Sequence, residues 1–209
     1  MRYESLIFDI DGTLWDSRAL VAEGYNLQLQ KEGLEHLSVT AEDLKPLFGK
    51  VMTEIADILF ATIPVEDRYA LLDRCMETEN AHLFESECNI GYPKVKETLA
   101  ELSKQHRLFI VSNSQSGYPQ LCIDKLGLGD HIQGHLCFGD TGTSKGQTIL
   151  KLMRDHDITS AIYVGDTQGD LEACREANIP FIFAGFGLGQ PESWDYRVDR
   201  FEDLLELPL

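Results

Sequence analysis

Short apolar runs, each ending in a polar or glycine-containing turn, alternate with helix-like segments through the beginning and the second half of this 209-residue chain. The clearest runs cover residues 5–9, 108–112, 161–165 and 180–184, and a weaker one covers 136–138. Such runs are typical of strands buried on both faces of a sheet. Strands that alternate with helices imply right-handed crossovers, so the pattern predicts an α/β fold with a parallel sheet.

Residues 17–88 have a different pattern, in which strand signals are almost absent. Helical patterns cover residues 19–32, 51–60 and 67–84, and glycine and proline residues separate them. We therefore predict two domains, a core formed by residues 1–16 and 89–209 and a helical domain formed by residues 17–88. An insertion directly after the first strand and its turn is expected to lie above the strand ends.

The composition restricts the partners and the compartment. Eighteen Lys and Arg residues against 35 Asp and Glu residues give a net charge of −17, which disfavours a nucleic acid or an anionic membrane as partner. No apolar stretch approaches the ~18 residues of a membrane helix, and the N-terminus lacks a secretory signal pattern. The five cysteines include no CxxC pair. We expect a cytoplasmic protein with reduced cysteines, as a monomer or weak homodimer.

Polar residues follow four of the predicted strands. In a parallel sheet these strand ends lie at one edge, which is where ligands bind. Taken separately, each group has an ordinary explanation as a turn, a helix cap or a solvated lysine. Taken together, they form a candidate site. Its residues are Asp9, Asp11, Gly12, Thr13, Ser112, Asn113, Lys145, Asp166 and Asp170.

These residues match, in order, the four motifs of the haloacid dehalogenase-like superfamily. The motifs are Asp9-x-Asp11-Gly12-Thr13-Leu14, Ser112-Asn113, Lys145 and Gly165-Asp166-x-x-x-Asp170. Residues 14–17 (LWDS), 92–95 and 184–187 further resemble the phosphoglycolate-phosphatase-like and β-phosphoglucomutase-like members. The resemblance implies a Rossmann-like three-layer core, a helical cap and phosphatase activity. Gly146 and Lys94 depart from the residues that are common at these positions in relatives.

The chemistry of the residues agrees with the resemblance. Asp9 at a strand end can attack phosphorus to give an aspartyl-phosphate, while Asp11 protonates the leaving oxygen and later activates water. Gly12 allows the sharp turn between them. Substrate contacts are expected from Gly12, Thr13, Ser112, Asn113 and Lys145. The expected Mg²⁺ ligands are Asp9, Asp11 through its backbone carbonyl, Asp166 and, directly or through water, Asp170.

The charges of the site also require a cation. Four clustered aspartates would repel a dianionic phosphate, and Mg²⁺ together with Lys145 supplies three positive charges against their four negative ones. The sequence therefore predicts strict Mg²⁺ dependence. The second acid, Asp11, selects phosphoryl transfer over dehalogenation, because dehalogenase relatives lack it.

The predicted substrate is a small phosphorylated metabolite, either phosphoglycolate or a sugar phosphate. Lys50 of the helical insertion is a candidate for recognising a second anionic group on it, or else a solvated residue at a helix start. Trp15 is expected to serve in packing or to flank the site entrance. The alternative functions are a phosphomutase of the β-phosphoglucomutase type and a non-catalytic regulatory protein.

Overall fold

The computed structural model describes residues 3–209, and these residues form two compact units. The core unit comprises residues 3–16 and Gly91–Leu209. The helical unit comprises Ser17–Ile90. Within residues 3–209, no helix combines the length and the apolar composition needed to cross a bilayer.

The core unit is built on one six-stranded sheet in which every neighbouring pair is parallel. Its strand order is β3-β2-β1-β4-β5-β6. The strands are β1 (Ser5–Phe8), β2 (Arg107–Ser112), β3 (Ile132–Cys137), β4 (Ala161–Gly165), β5 (Phe181–Ala184) and β6 (Tyr196–Val198). The predicted α/β fold with a parallel sheet is confirmed, and β1 lies at its centre.

Helices of the core unit follow its strands. They are α5 (Val95–Leu102), α6 (Tyr118–Leu126), α7 (Phe138–Thr141), α8 (Lys145–Asp155) and α9 (Gln168–Ala177), with a 3₁₀ turn at Phe201–Glu206. Apolar side chains of α8 and α9, such as Ile149 and Cys174, pack with Ile7, Phe109 and Tyr163 of the sheet.

The opposite face of the sheet has its own packing. There Phe8 contacts Phe201 with ring centroids 6.0 Å apart, and α5 packs against the 3₁₀ turn that contains Phe201. Side chains of a strand alternate between faces, so β1 presents Ile7 to one layer and Phe8 to the other. This is the three-layer arrangement that the resemblance implies.

The helical unit contains no strand. Its helices are α1 (Arg18–Lys31), α2 (Ala41–Leu44), α3 (Met52–Leu59) and α4 (Val65–Glu85), with a 3₁₀ turn at Glu35–Leu37. Its main contact joins α1 and α4, where a Cβ on Gly24 would lie 2.6 Å from the Cα of Glu79. The absence of a side chain at Gly24 thus lets the two helix backbones approach closely.

Two strands differ from the sequence prediction. The third strand begins at Ile132 instead of Leu136, and Phe138 starts α7. This strand is only partly buried and contains Gln133, Gly134 and His135, so its apolar signal is weak. The sixth strand was not predicted, because it has only three residues and lies at the sheet edge.

Candidate active site

The turn after β1 positions the first two aspartates. The Asp9 N–H donates to the Val164 carbonyl at 2.9 Å, which continues the pairing of β1 with β4. Gly12 has φ +80°, and a Cβ there would lie 2.3 Å from Asp166 Oδ2. Only glycine satisfies both demands, so this residue brings the β1 turn into contact with Asp166.

Asp166 follows β4 and is fully buried. Its Oδ2 accepts hydrogen bonds from the N–H groups of Leu188 at 2.6 Å and Gly189 at 3.0 Å. Its Oδ1 is buried and has no hydrogen-bond partner within residues 3–209. A buried carboxylate oxygen without a partner is costly, so it indicates a place for a cation or a proton.

Asp170 is the third residue of α9 and forms a capping box with Thr167. Its Oδ2 accepts from the Thr167 hydroxyl at 2.7 Å, the Thr167 N–H at 2.9 Å and the Asp166 N–H at 3.1 Å. Its Oδ1 accepts from Lys145 Nζ at 2.6 Å. Both oxygens of Asp170 are thus engaged by the protein itself.

Lys145 begins α8, and its ammonium links two of these carboxylates. Its Nζ lies 3.1 Å from Asp9 Oδ1 and 2.6 Å from Asp170 Oδ1, and all three side chains are at most 4% exposed. The Ser144 hydroxyl caps α8 by accepting from the Gln147 N–H. Lys145 is therefore fixed by a helix start at one end and by two aspartates at the other.

Burial and mutual repulsion act on the charges of this cluster. Burial raises the pKa of Asp9 well above its usual value, against the opposing effect of Lys145. Burial, followed by repulsion from Asp170, raises the pKa of Asp166 to about 7. Burial also disfavours the charged form of Asp170, but Lys145 and Thr167 outweigh it, so the pKa of Asp170 lies below its usual value. The positive charge of Lys145 is thus too little to keep the pKa values of Asp9 and Asp166 in their usual range.

Asp9, Asp166 and Asp170 each offer a carboxylate oxygen within 4.8 Å of the others. An all-oxygen donor set with an unpartnered Asp166 Oδ1 suits a hard divalent cation such as Mg²⁺. The residues present therefore fit the predicted metal. Since Lys145 and Thr167 occupy both oxygens of Asp170, the geometry favours Asp9 and Asp166 as direct carboxylate ligands.

The carboxylate of Asp11 has different surroundings. Its Oδ1 accepts hydrogen bonds from Trp15 Nε1 at 2.7 Å and from the Tyr118 hydroxyl at 3.0 Å. The sequence did not predict either contact: Trp15 was expected to serve in packing or to flank the site entrance, and Tyr118 was not identified as functional. Tyr118 follows Ser112 and Asn113 by a few residues and lies directly after Gly117, which was the available signal.

The remaining predicted substrate contacts lie in both units. Ser112 ends β2, is buried, and its hydroxyl oxygen accepts from the Ser114 N–H at 3.2 Å. Asn113 follows it at the same end of β2. The Thr13 hydroxyl is buried without a hydrogen-bond partner among the residues that the structure describes. Lys50 belongs to the helical unit and pairs with Glu54 at 3.3 Å, and its contact with a substrate stays a prediction.

Known proteins resemble this chain over most of its length. The haloacid dehalogenase-like hydrolase family matches residues 6–184. A phosphoglycolate phosphatase of Xanthomonas campestris pv. campestris is 27% identical and covers 95% of this chain and 92% of its own. One of Agrobacterium fabrum is 31% identical, covering 87% and 80% respectively.

A solved structure shows the same fold. It is described as a predicted phosphoglycolate phosphatase from Haemophilus somnus, with a TM-score of 0.84, 20% identity and coverage of 99% of this chain and 98% of its own. The chain belongs to the haloacid dehalogenase-like hydrolase family, and within it to the phosphatases.

Proposed function

We propose that this protein is a Mg²⁺-dependent phosphatase that hydrolyses a small phosphomonoester through a phosphorylated Asp9. The observation that carries the proposal is the buried cluster in which Lys145 Nζ lies 3.1 Å from Asp9 Oδ1, while Asp166 Oδ1 has no hydrogen-bond partner in the described part of the chain. Asp9 is thereby oriented by a lysine, and Asp166 has a carboxylate oxygen that is available to a cation.

In the proposed reaction, Asp9 attacks phosphorus through its carboxylate and forms a covalent aspartyl-phosphate. Lys145 holds Asp9 Oδ1, which leaves Oδ2 to make the new bond. Lys145 also balances the negative charge of the phosphoryl oxygens, for which Ser112 and Asn113 provide hydrogen-bond donors. When bound, Mg²⁺ supplies positive charge that lets a phosphate dianion approach the aspartates.

Asp11 provides the proton transfers of both steps. In the first step it gives its proton to the oxygen that leaves phosphorus, and the alcohol departs. In the second step the Asp11 carboxylate takes a proton from water, which attacks the phosphorus of the aspartyl-phosphate and regenerates Asp9. The two steps release one alcohol and one inorganic phosphate and restore the protonation of Asp11.

The proposed substrate class is a small organic phosphate, phosphoglycolate or a sugar phosphate. The relatives named above support it, since both are phosphoglycolate phosphatases and each matches at least four-fifths of its own length. We further propose that the helical unit acts as the cap of the site, because its residues directly follow the turn that carries Asp9 and Asp11.

The experiment is a screen of purified protein against phosphoglycolate, hexose phosphates and p-nitrophenyl phosphate, with Mg²⁺ and with excess EDTA. We expect inorganic phosphate release with Mg²⁺, its loss in EDTA and its return when Mg²⁺ is restored. Activity that survives full chelation would contradict the metal requirement. Conversion of a hexose 1-phosphate to the 6-phosphate without phosphate release would favour a phosphomutase instead.

A further inference from the structure

Two aromatic side chains meet at a single oxygen of Asp11. Trp15 Nε1 lies 2.7 Å from Asp11 Oδ1, and the Tyr118 hydroxyl lies 3.0 Å from the same atom. The two rings contact each other edge to face, with centroids 5.5 Å apart at an interplanar angle of 77°. Trp15 is fully buried and Tyr118 is 3% exposed, so both donors are held rigidly.

The backbone brings these donors together from two distant segments. The Trp15 carbonyl accepts from the Gly12 N–H at 2.9 Å, which closes the turn that begins at Asp11. Tyr118 is the first residue of α6 and lies 107 positions along the chain from Asp11. Gly117, with φ +84°, makes the bend that precedes it. The contact of Tyr118 with Asp11 is therefore made by the tertiary fold, whereas Trp15 belongs to the same turn as Asp11.

The chemistry of the donors distinguishes the two oxygens of Asp11. An indole N–H can only donate a hydrogen bond. A proton on Oδ1 would place a third hydrogen on an oxygen at which Trp15 and Tyr118 already direct theirs. The protonated acid is therefore favoured with its proton on Oδ2. The carboxylate that remains after proton transfer keeps both hydrogen bonds on Oδ1, which stabilise its charge.

We propose that Tyr118 and Trp15 are positioning residues, which hold Asp11 so that one defined oxygen delivers the proton to the leaving group. The proposal rests on the function proposed above, with Asp11 as the general acid. As the bond from Asp9 to phosphorus forms and the bond from phosphorus to the leaving oxygen breaks, the proton passes from Asp11 Oδ2 to that oxygen. Neither aromatic residue exchanges a proton in this step.

The test compares two phosphomonoesters of similar size, benzyl phosphate and p-nitrophenyl phosphate, with the Mg²⁺-loaded enzyme. Benzyl alcoholate is a poor leaving group that needs the proton, whereas p-nitrophenolate leaves well without it. For Tyr118→Phe we expect kcat/KM to fall about tenfold for benzyl phosphate and less than about twofold for p-nitrophenyl phosphate. The ratio kcat/KM reports the steps up to departure of the leaving group, so the later use of Asp11 as a base does not enter.

Tyr69→Phe is the matched control. The Tyr69 hydroxyl also donates to an aspartate, Asp57 Oδ1 at 3.2 Å, but it lies in the helical unit and has no role in the proposed reaction. We expect this variant to leave kcat/KM unchanged for both substrates. Trp15→Phe removes the other donor and keeps an aromatic ring. It should therefore change kcat/KM for the two substrates in the same direction as Tyr118→Phe. Thermal unfolding of each variant checks that the fold is retained.

The outcomes separate this proposal from the proposed function. Equal losses for both substrates, or no loss for either, in a folded Tyr118→Phe would overturn the positioning role while leaving the phosphatase intact. A wild-type enzyme that hydrolyses neither ester with Mg²⁺ would instead remove the proposed function and this proposal with it. A selective loss for benzyl phosphate in both aromatic variants supports the proposal.

Discussion

The two carboxylate oxygens of Asp166 have different hydrogen-bonding surroundings. Backbone N–H groups of Leu188 and Gly189 satisfy Oδ2, while Oδ1 is buried and finds no hydrogen-bond partner among residues 3–209. Gly12 is the residue that permits this arrangement, because its missing side chain leaves room for Asp166. The candidate metal position therefore depends on a glycine as much as on the aspartates.

Replacing this glycine should damage the site more than the backbone conformation alone explains. In Gly12→Ala the new Cβ would lie 2.3 Å from Asp166 Oδ2 at a φ of +80°. We expect loss of most phosphatase activity and destabilisation well above about 1 kcal/mol, the typical cost of alanine at positive φ. Activity assays and urea unfolding measure the two effects.

Gly33→Ala is the matched control for this substitution. Gly33 has φ +70°, and a Cβ there would meet no atom within 4 Å. It should lose about 1 kcal/mol of unfolding free energy at unchanged specific activity. If Gly12→Ala behaved like Gly33→Ala, the tight contact between the β1 turn and Asp166 would have no functional importance.

At the scale of elements, two helix starts hold the cationic and anionic parts of the site. Lys145 is the first residue of α8, and Asp170 is the third residue of α9. The Thr167 cap of α9 binds the same carboxylate that binds Lys145. Helix capping and positioning of the lysine are thus one set of hydrogen bonds.

Thr167→Ala should therefore affect catalysis as well as helix stability. Loss of the cap should lower the free energy of unfolding by about 1 kcal/mol. A loosened Asp170 should also raise the Mg²⁺ concentration for half-maximal activity by about tenfold, which is typical for a residue that supports metal ligands. A Mg²⁺ titration of phosphatase activity measures this shift.

Thr40→Ala provides the comparison within the same chain. Thr40 and Asp43 form the same capping box at α2 in the helical unit. This variant should lose stability without a change in its Mg²⁺ titration. An equal Mg²⁺ response of both threonine variants would show that the α9 cap has only a structural role.

The elements also show what the sequence can and cannot predict. β1 and β4 are buried on both faces, so they contain continuous apolar runs that the sequence identifies as strands. Their ends place Asp9 and Asp166 at one edge because parallel topology leaves no alternative. The edge strands β3 and β6 are short or half-exposed and give weak signals. The contact of Tyr118 with Asp11 spans 107 positions, and the local sequence indicates it only through the position of Tyr118 shortly after Asn113.

At the scale of the whole molecule, the buried aspartates couple folding stability to pH. The pKa of Asp166 is about 7 in the folded protein against an ordinary value of 3.8. Between pH ~4 and pH ~7 the folded state thus binds a proton that the unfolded state does not, and this proton stabilises the folded state. This stabilisation is lost as the pH rises through about 7.

In metal-free protein, the midpoint of thermal unfolding should consequently rise as the pH is lowered from about 8 to about 6. One such group changes stability by at most about 1.4 kcal/mol per pH unit, which corresponds to a few degrees. Mg²⁺ at pH ~8 should restore the midpoint, and Asp166→Asn should flatten the dependence. Calorimetry in the presence of EDTA measures this pH dependence. An unfolding midpoint that falls toward pH ~6 would contradict a raised pKa of Asp166.

The proposed reaction requires transient phosphorylation of Asp9, and this intermediate can be trapped. The enzyme is mixed with Mg²⁺ and a substrate found in the screen, quenched in acid and digested, and the phosphorylated peptide is located by mass spectrometry. The proposed mechanism predicts a hydroxylamine-sensitive acyl phosphate on Asp9 that is absent from Asp9→Asn and retained in Asp73→Asn, a control at an exposed aspartate. A phosphoryl group on any other residue, or undiminished turnover by Asp9→Asn, would contradict it.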